Sequence, residues 1–209
     1  MVKNIEKLNK FVDILLKIPG GIYGLLSACF GSMFVFLSYL NFPSYDMLNN
    51  DVSVLGIGPG LAAIFFAIGL ILIGIFAIPF VIFLGRILQQ ENENKKLTKR
   101  AVKISITSCI ALSLIAFFPV INLVMIVIHA MLAVVFFVGE CLSLIYFSLI
   151  MLRENKFSKI HAYFGFSTAG LIIFYIAVRW SIVEWIVFFV LGAWTIEISI
   201  YSLYKRLKV

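Results

Sequence analysis

Long apolar runs separated by short polar breaks make up almost the whole chain. A membrane-crossing helix needs about 20 mostly apolar residues. Six stretches meet that need, at about 18–40, 61–84, 101–121, 123–151, 160–180 and 182–204. Ahead of them Ile5, Leu8, Val12 and Leu15 recur at helical spacing, with lysines on the other faces. That pattern predicts an amphipathic interfacial helix over residues 1–17. Residues 89–100 read as a polar, exposed and mobile connector, and 205–209 as a basic tail. The connections are short, which favours antiparallel neighbours. The predicted fold is all-α, a polytopic six-transmembrane-helix bundle.

Charge then gives the runs a direction. Sixteen of the 17 lysines and arginines fall on one side of a six-span arrangement, and Arg179 stands alone on the other. Basic residues stay cytoplasmic during insertion, so both termini are expected in the cytoplasm of a multi-pass cell-membrane protein. The net charge of +7 is thereby read as topogenic, not as a nucleic-acid surface. It also draws the inner face to anionic lipids. Composition agrees: 63% of residues are hydrophobic, 13% are charged, and mean hydropathy is +1.10. Soluble domains carry roughly 25% charged residues.

Small residues predict how the helices meet. Helices in lipid associate through close approach and polar contacts. Gly20, Gly24, Ala28 and Ser32, with Gly31 beside them, make a stripe on the first span. Ser105, Ser108, Cys109 and Ser113 do so on the third, His161, Gly165 and Thr168 on the fifth, and Gly69 and Gly74 on the second. These faces are expected to turn inward. Cys29, Cys109 and Cys141 form no CxxC pair and read as packing residues. Leu26-Ser27-Ala28-Cys29 has the form of a lipoprotein cleavage box. The apolar run continues past it, so an uncleaved first span is expected.

Ionisable groups inside a bilayer are costly and are therefore functional candidates. Glu140 falls near the middle of the fourth span and Glu197 in the inner half of the sixth; both are candidate intramembrane proton sites. His129 and Glu140 share a helix face about 16 Å apart along the axis, too far to touch but placed to line one outward-opening cavity. Arg179 and Glu184 flank the last outer turn and are expected to pair, with Arg179 the available anion receptor on that side. Glu197 is expected to bond a Tyr or Ser of a neighbouring helix. The outer connection, residues 41–60, is long and contains Asp51 and Ser53, each suited to cap a short helix or to lie in a lid over the later spans.

Ser53-Val54-Leu55-Gly56, then Phe65, Gly69 and Gly74, Phe118-Pro119, His129-Ala130, Phe136-Phe137, and Glu184-Trp185 with Trp194 follow one another in an order that resembles a known family. It is the prokaryotic six-helix membrane family called domain of unknown function 998, distantly similar to the DRAM and Sfk membrane proteins. The resemblance spans residues 18–205. It implies an outer S-x-L-G loop, a histidine opening span 4 and a glutamate opening span 6, matched by Ser53, His129 and Glu184. It brings no established activity. The eukaryotic relatives' association with lipids and membrane trafficking points toward lipids.

No span carries the deep lysine of a retinal protein, the four histidines of a di-haem carrier, or a zinc-ligand cluster. No catalytic residues, metal or cofactor are assigned, although Ser53, His129 and Asp51 leave a serine hydrolase conceivable. The sequence favours a non-catalytic protein that binds a lipid or small amphiphile, or scaffolds partners, through Asp51, Ser53, His129, Arg179 and Glu184. Membrane lipids and other membrane-protein subunits are the expected partners. A small proton-coupled transporter or channel subunit using Glu140 is the alternative.

Overall fold

The computed structural model describes residues 18–91, 95–153 and 157–205. The expected interfacial helix over 1–17 and residues 206–209 of the basic tail lie outside the described residues. Six long helices follow one another: α1 (Gly20–Leu40), α2 (Ala62–Glu91), α3 (Lys95–Ile115), α4 (Leu123–Met151), α5 (Lys159–Val178) and α6 (Ser181–Tyr204). A 3₁₀ segment, Val52–Ile57, interrupts the α1–α2 connection. Each helix packs on its chain neighbour, and α6 returns to α1. The bundle is a closed ring in chain order, as short connections between antiparallel helices favour.

Five of the six, all but α3, are long and apolar enough to cross a membrane. α3 falls short because its first turns carry Lys95, Lys96, Lys99, Arg100 and Lys103. Two boundaries differ from the sequence pattern. The expected connector at 89–100 is helical where it is described, forming the end of α2 and the start of α3. Its Lys, Leu, Gln and Arg residues are good helix formers, and leaving an apolar environment does not end a helix. α3 stops at Ile115, not near residue 121. Phe118 precedes Pro119, which disfavours helical geometry there, and a turn follows with Ile121 N–H on the Pro119 carbonyl at 2.8 Å. Asn122 then starts α4 by accepting the Met125 N–H at 3.0 Å.

The glycines close the ring. A methyl on Gly21 would meet the Ser199 carbonyl of α6 at 2.5 Å. One on Gly24 would run into Ser199 Oγ, one on Gly31 into Ile73, and one on Gly74 into Ser113 of α3. Ser27 Oγ donates to the Ile73 carbonyl at 2.9 Å, and Ser38 Oγ to the Ala62 carbonyl at 2.7 Å. These backbone-to-backbone approaches bear out the small-residue faces of the first and second spans. Ser105, Ser108 and Cys109 on α3, and His161, Gly165 and Thr168 on α5, are buried as expected. Outside, Phe117, Leu123, Val124, Met131 and Val134 are more than half exposed. A surface so apolar suits hydrocarbon rather than water.

Candidate functional site

The ring surrounds a partly enclosed central cavity with ≈ 1230 Å³ of space free of protein atoms, its mouth included. α1, α2, α3, α4, α6 and the 3₁₀ segment line it, and α5 stands behind. His129 and Glu140 both border it, as their shared helix face predicts. Val52, Ser53, His129 and Glu184 mark one end, Glu140 the middle, and Phe147 and Trp194 the other end. From Glu184 to Trp194 along α6 is about 15 Å. Most of the wall is apolar, from Phe, Leu, Ile and Val side chains. Glu140 and Glu184 are its only charged residues; no lysine or arginine lines it among the described residues.

The α1–α2 connection is built as a cap. Tyr45 is buried within an aromatic group that includes Tyr39, Phe42 and Trp185. Its hydroxyl accepts the Trp185 Nε1–H at 2.9 Å and faces the Asp51 and Asn50 carbonyls at 2.8 and 3.0 Å. Burial pushes the Tyr45 hydroxyl well above its ordinary pKa, so it stays a neutral donor. Asp46 ties the turn together by accepting the Leu48 N–H at 2.9 Å and the Asn49 amide at 2.6 Å. Asp51 occupies the N-cap position of the 3₁₀ segment, but its side chain makes no capping bond. It accepts instead from Ser181 Oγ at 2.6 Å, at the start of α6. Glu184, one turn further on, accepts the Val52 N–H at 3.3 Å and is hydrogen-bonded to Tyr175. The segment containing Asp51 and Ser53 is thus fastened across the beginning of α6, consistent with a lid over the later spans.

The Glu140 carboxyl is hydrogen-bonded to the Ser105 hydroxyl of α3, and Ser143 Oγ donates to the Glu140 backbone carbonyl at 3.0 Å. Its remaining surface faces the cavity, so it serves packing and lines open space at once. His129 is buried, and its Nδ1 lies 2.8 Å from the Phe118 carbonyl. A carbonyl only accepts, so Nδ1 carries a hydrogen, and the neutral ring presents Nε2 as an acceptor. No described protein group partners that Nε2.

The expected Arg179–Glu184 pair does not form. Arg179 ends α5 in the left-handed region, φ 55°, with its Cζ 5.7 Å from the Tyr175 ring centroid. It is exposed and off the cavity wall. The left-handed turn aims its side chain outward, while the lid amide and Tyr175 take the Glu184 carboxylate. Glu197 also differs: its partner is His161 of α5, not a Tyr or Ser, and it lies below the cavity. The His161 ring stacks near Tyr201, with centroids 4.1 Å apart. Tyr45, Ser105, Ser181 and Trp185 carry the site without having been singled out individually as site residues. Ser105 carried a sequence signal through its small-residue face and Trp185 through the Glu184-Trp185 pair of the resemblance; Asn122, directly before an apolar run, was a readable cap.

Asp51 is engaged by Ser181, and His129 Nδ1 by a backbone carbonyl, so Ser53, His129 and Asp51 are not relayed as a hydrolase triad. No group of three metal-ligating side chains gathers among the described residues. Compared with known proteins, the chain matches no family model, no curated sequence and no solved structure. What the findings define is an all-α protein with helices fit for membrane insertion.

Proposed function

We propose that this protein is a six-span cell-membrane protein, both termini cytoplasmic, that binds a lipid or small amphiphile without turning it over. α3 counts as the sixth span because it is seated in the ring between two apolar helices and its cationic start adjoins the end of α2. The observation that carries the reading is the central cavity, whose long apolar wall carries polar groups at its lid end. Such a wall with a few convergent polar groups is the form of a small-molecule site. Ser53, His129 and Glu184, on which the resemblance to the 998 family partly rests, all border that cavity.

Gly192 supplies the test. It borders the cavity, and a Cβ there would meet nothing within 4 Å. Gly192→Leu is designed to occupy that space, since its Cβ meets no atom there. Lipid extracted with the purified protein and identified by mass spectrometry is expected to be abundant for the natural chain and lost for Gly192→Leu. Equal recovery from both would place the lipid on the outer surface and overturn the reading.

A second reading is favoured by Glu140, a carboxyl on the cavity wall midway along α4. It is proton-coupled transport, and it requires pH-driven flux in liposomes that Glu140→Gln abolishes. Flux indifferent to that change removes it.

A further inference from the structure

At the cavity's lid end the carboxyl and ring groups are acceptors, while hydroxyls such as Ser53 also line the wall and the Trp194 Nε1–H lies at its far end. The Glu184 carboxyl receives from the Val52 amide and is hydrogen-bonded to Tyr175, and the Glu140 carboxyl is hydrogen-bonded to Ser105. His129 adds an acceptor, since its Nδ1 hydrogen is committed to the Phe118 carbonyl and its Nε2 is left unpartnered by protein. This ring is buried, only 8% exposed, and borders the cavity's lid end beside Glu184. Asp51, on Ser181, adds a further negative charge behind the Glu184 carboxylate. The wall itself supplies no cation; Arg179 stands outside it over Tyr175, where its charge still reaches Glu184 and offsets part of the Asp51 charge.

A carboxylate out of water is stable only when paired and hydrogen-bonded. An anionic head would bring like charge to Glu184. An ammonium head brings positive charge and N–H donors to Glu184 and His129 Nε2, which have no cation beside them on the wall. Resting on the reading that the cavity takes an amphiphile, we propose that its ligand is a cationic amphiphile with a primary or secondary amine head. The amine sits at the lid end between Glu184 and His129 Nε2, and the alkyl tail runs along the apolar wall past Glu140 toward Trp194.

This preference runs against the protein's overall field. With a net charge of +7, nonspecific attraction favours anionic amphiphiles. Selection of an amine is therefore a property of the site. The probes are dodecylamine, dodecanol and dodecanoic acid, titrated into the full-length protein in a neutral maltoside micelle, with affinity read by calorimetry. Dodecylamine is expected to bind at least tenfold more tightly than either of the others. Glu184→Gln is expected to erase that margin while leaving dodecanol binding within twofold, and Gly192→Leu to weaken all three. Equal affinities for the three probes, each lost in Gly192→Leu, would overturn the amine assignment and leave the cavity reading standing. Binding of the three that Gly192→Leu does not change would overturn both. Should Glu184→Gln fold poorly, His129→Phe, which removes the Nε2 acceptor, is expected to cut the dodecylamine margin at least threefold; an unchanged margin there also counts against the proposal.

Discussion

The two ends of the bundle treat polar groups in opposite ways. At the lid end, Asp51, Glu184 and Tyr45 are tied to Ser181, to a loop amide and to Trp185, and His129 looks into open space. At the other end Phe83, Ile87, Leu88, Ile150 and Met151 fill the ring with almost no exposed surface. The polar groups there are enclosed with fewer partners. His161 and Glu197 bond each other, while His161 Nε2, Glu197 Oε2, Ser148 Oγ and Trp194 Nε1 are buried without one. The same six helices thus make a cavity where a loop can reach over them and a plug where bulky side chains meet. Polar side chains border open space at the first end and hold helix to helix at the second.

The comparison breaks most readily at a glycine contact. Gly21→Leu drives a side chain into the Ser199 carbonyl and parts α1 from α6. It is expected to cost about 3 kcal/mol, read as a lowered denaturation midpoint, and to empty the cavity as well. Glu197→Ala leaves His161 buried without its carboxylate and is expected to cost about 2 kcal/mol, as for loss of a hydrogen bond to a charged group. Amphiphile binding should survive that change; if binding disappears with no loss of stability, the two ends are not separate in role.

Tyr45→Phe acts on the lid alone. It leaves the buried Trp185 Nε1–H without its acceptor, at about 1–2 kcal/mol. Its effect should show as faster hydrogen exchange across the α1–α2 connection, with the opposite end of the bundle unchanged. Because burial raises the Tyr45 pKa above the unfolded value, its contribution is complete below about pH 10 and falls as pH rises beyond that. The alkaline loss is expected in the natural chain and reduced in Tyr45→Phe. The smallest change is Arg179→Gly. It relieves a left-handed backbone by up to about 1 kcal/mol and should alter dodecylamine affinity less than twofold. A large loss of binding there would return the guanidinium to the site.

Much of this was legible from residue order. Helix spans follow from apolar runs alone, because a helix satisfies its backbone internally wherever water is absent. Five of the predicted spans match α1, α2, α4, α5 and α6 to within a few residues, apart from the longer C-terminal end of α2. The small-residue faces and the shared face of His129 and Glu140 are consequences of helical spacing, and they too were readable. Partners were not. Arg179 and Glu184 are five residues apart, yet Glu184 is taken by the lid amide and Tyr175. Glu197 finds His161, 36 residues away.

The sequence by itself determined an all-α chain of apolar helices, their order, their close-packing faces and the lopsided placement of positive charge. Tertiary structure alone decided that the helices close into a ring around a cavity, that Asp51 and Tyr45 clamp a loop onto α6, and that Glu140 and Glu184 face the same space while Glu197 does not. Periodicity is set by neighbouring residues along one helix. Which helices meet, and what is left open between them, depends on long-range approaches such as Gly21 to Ser199, whose register no local pattern encodes.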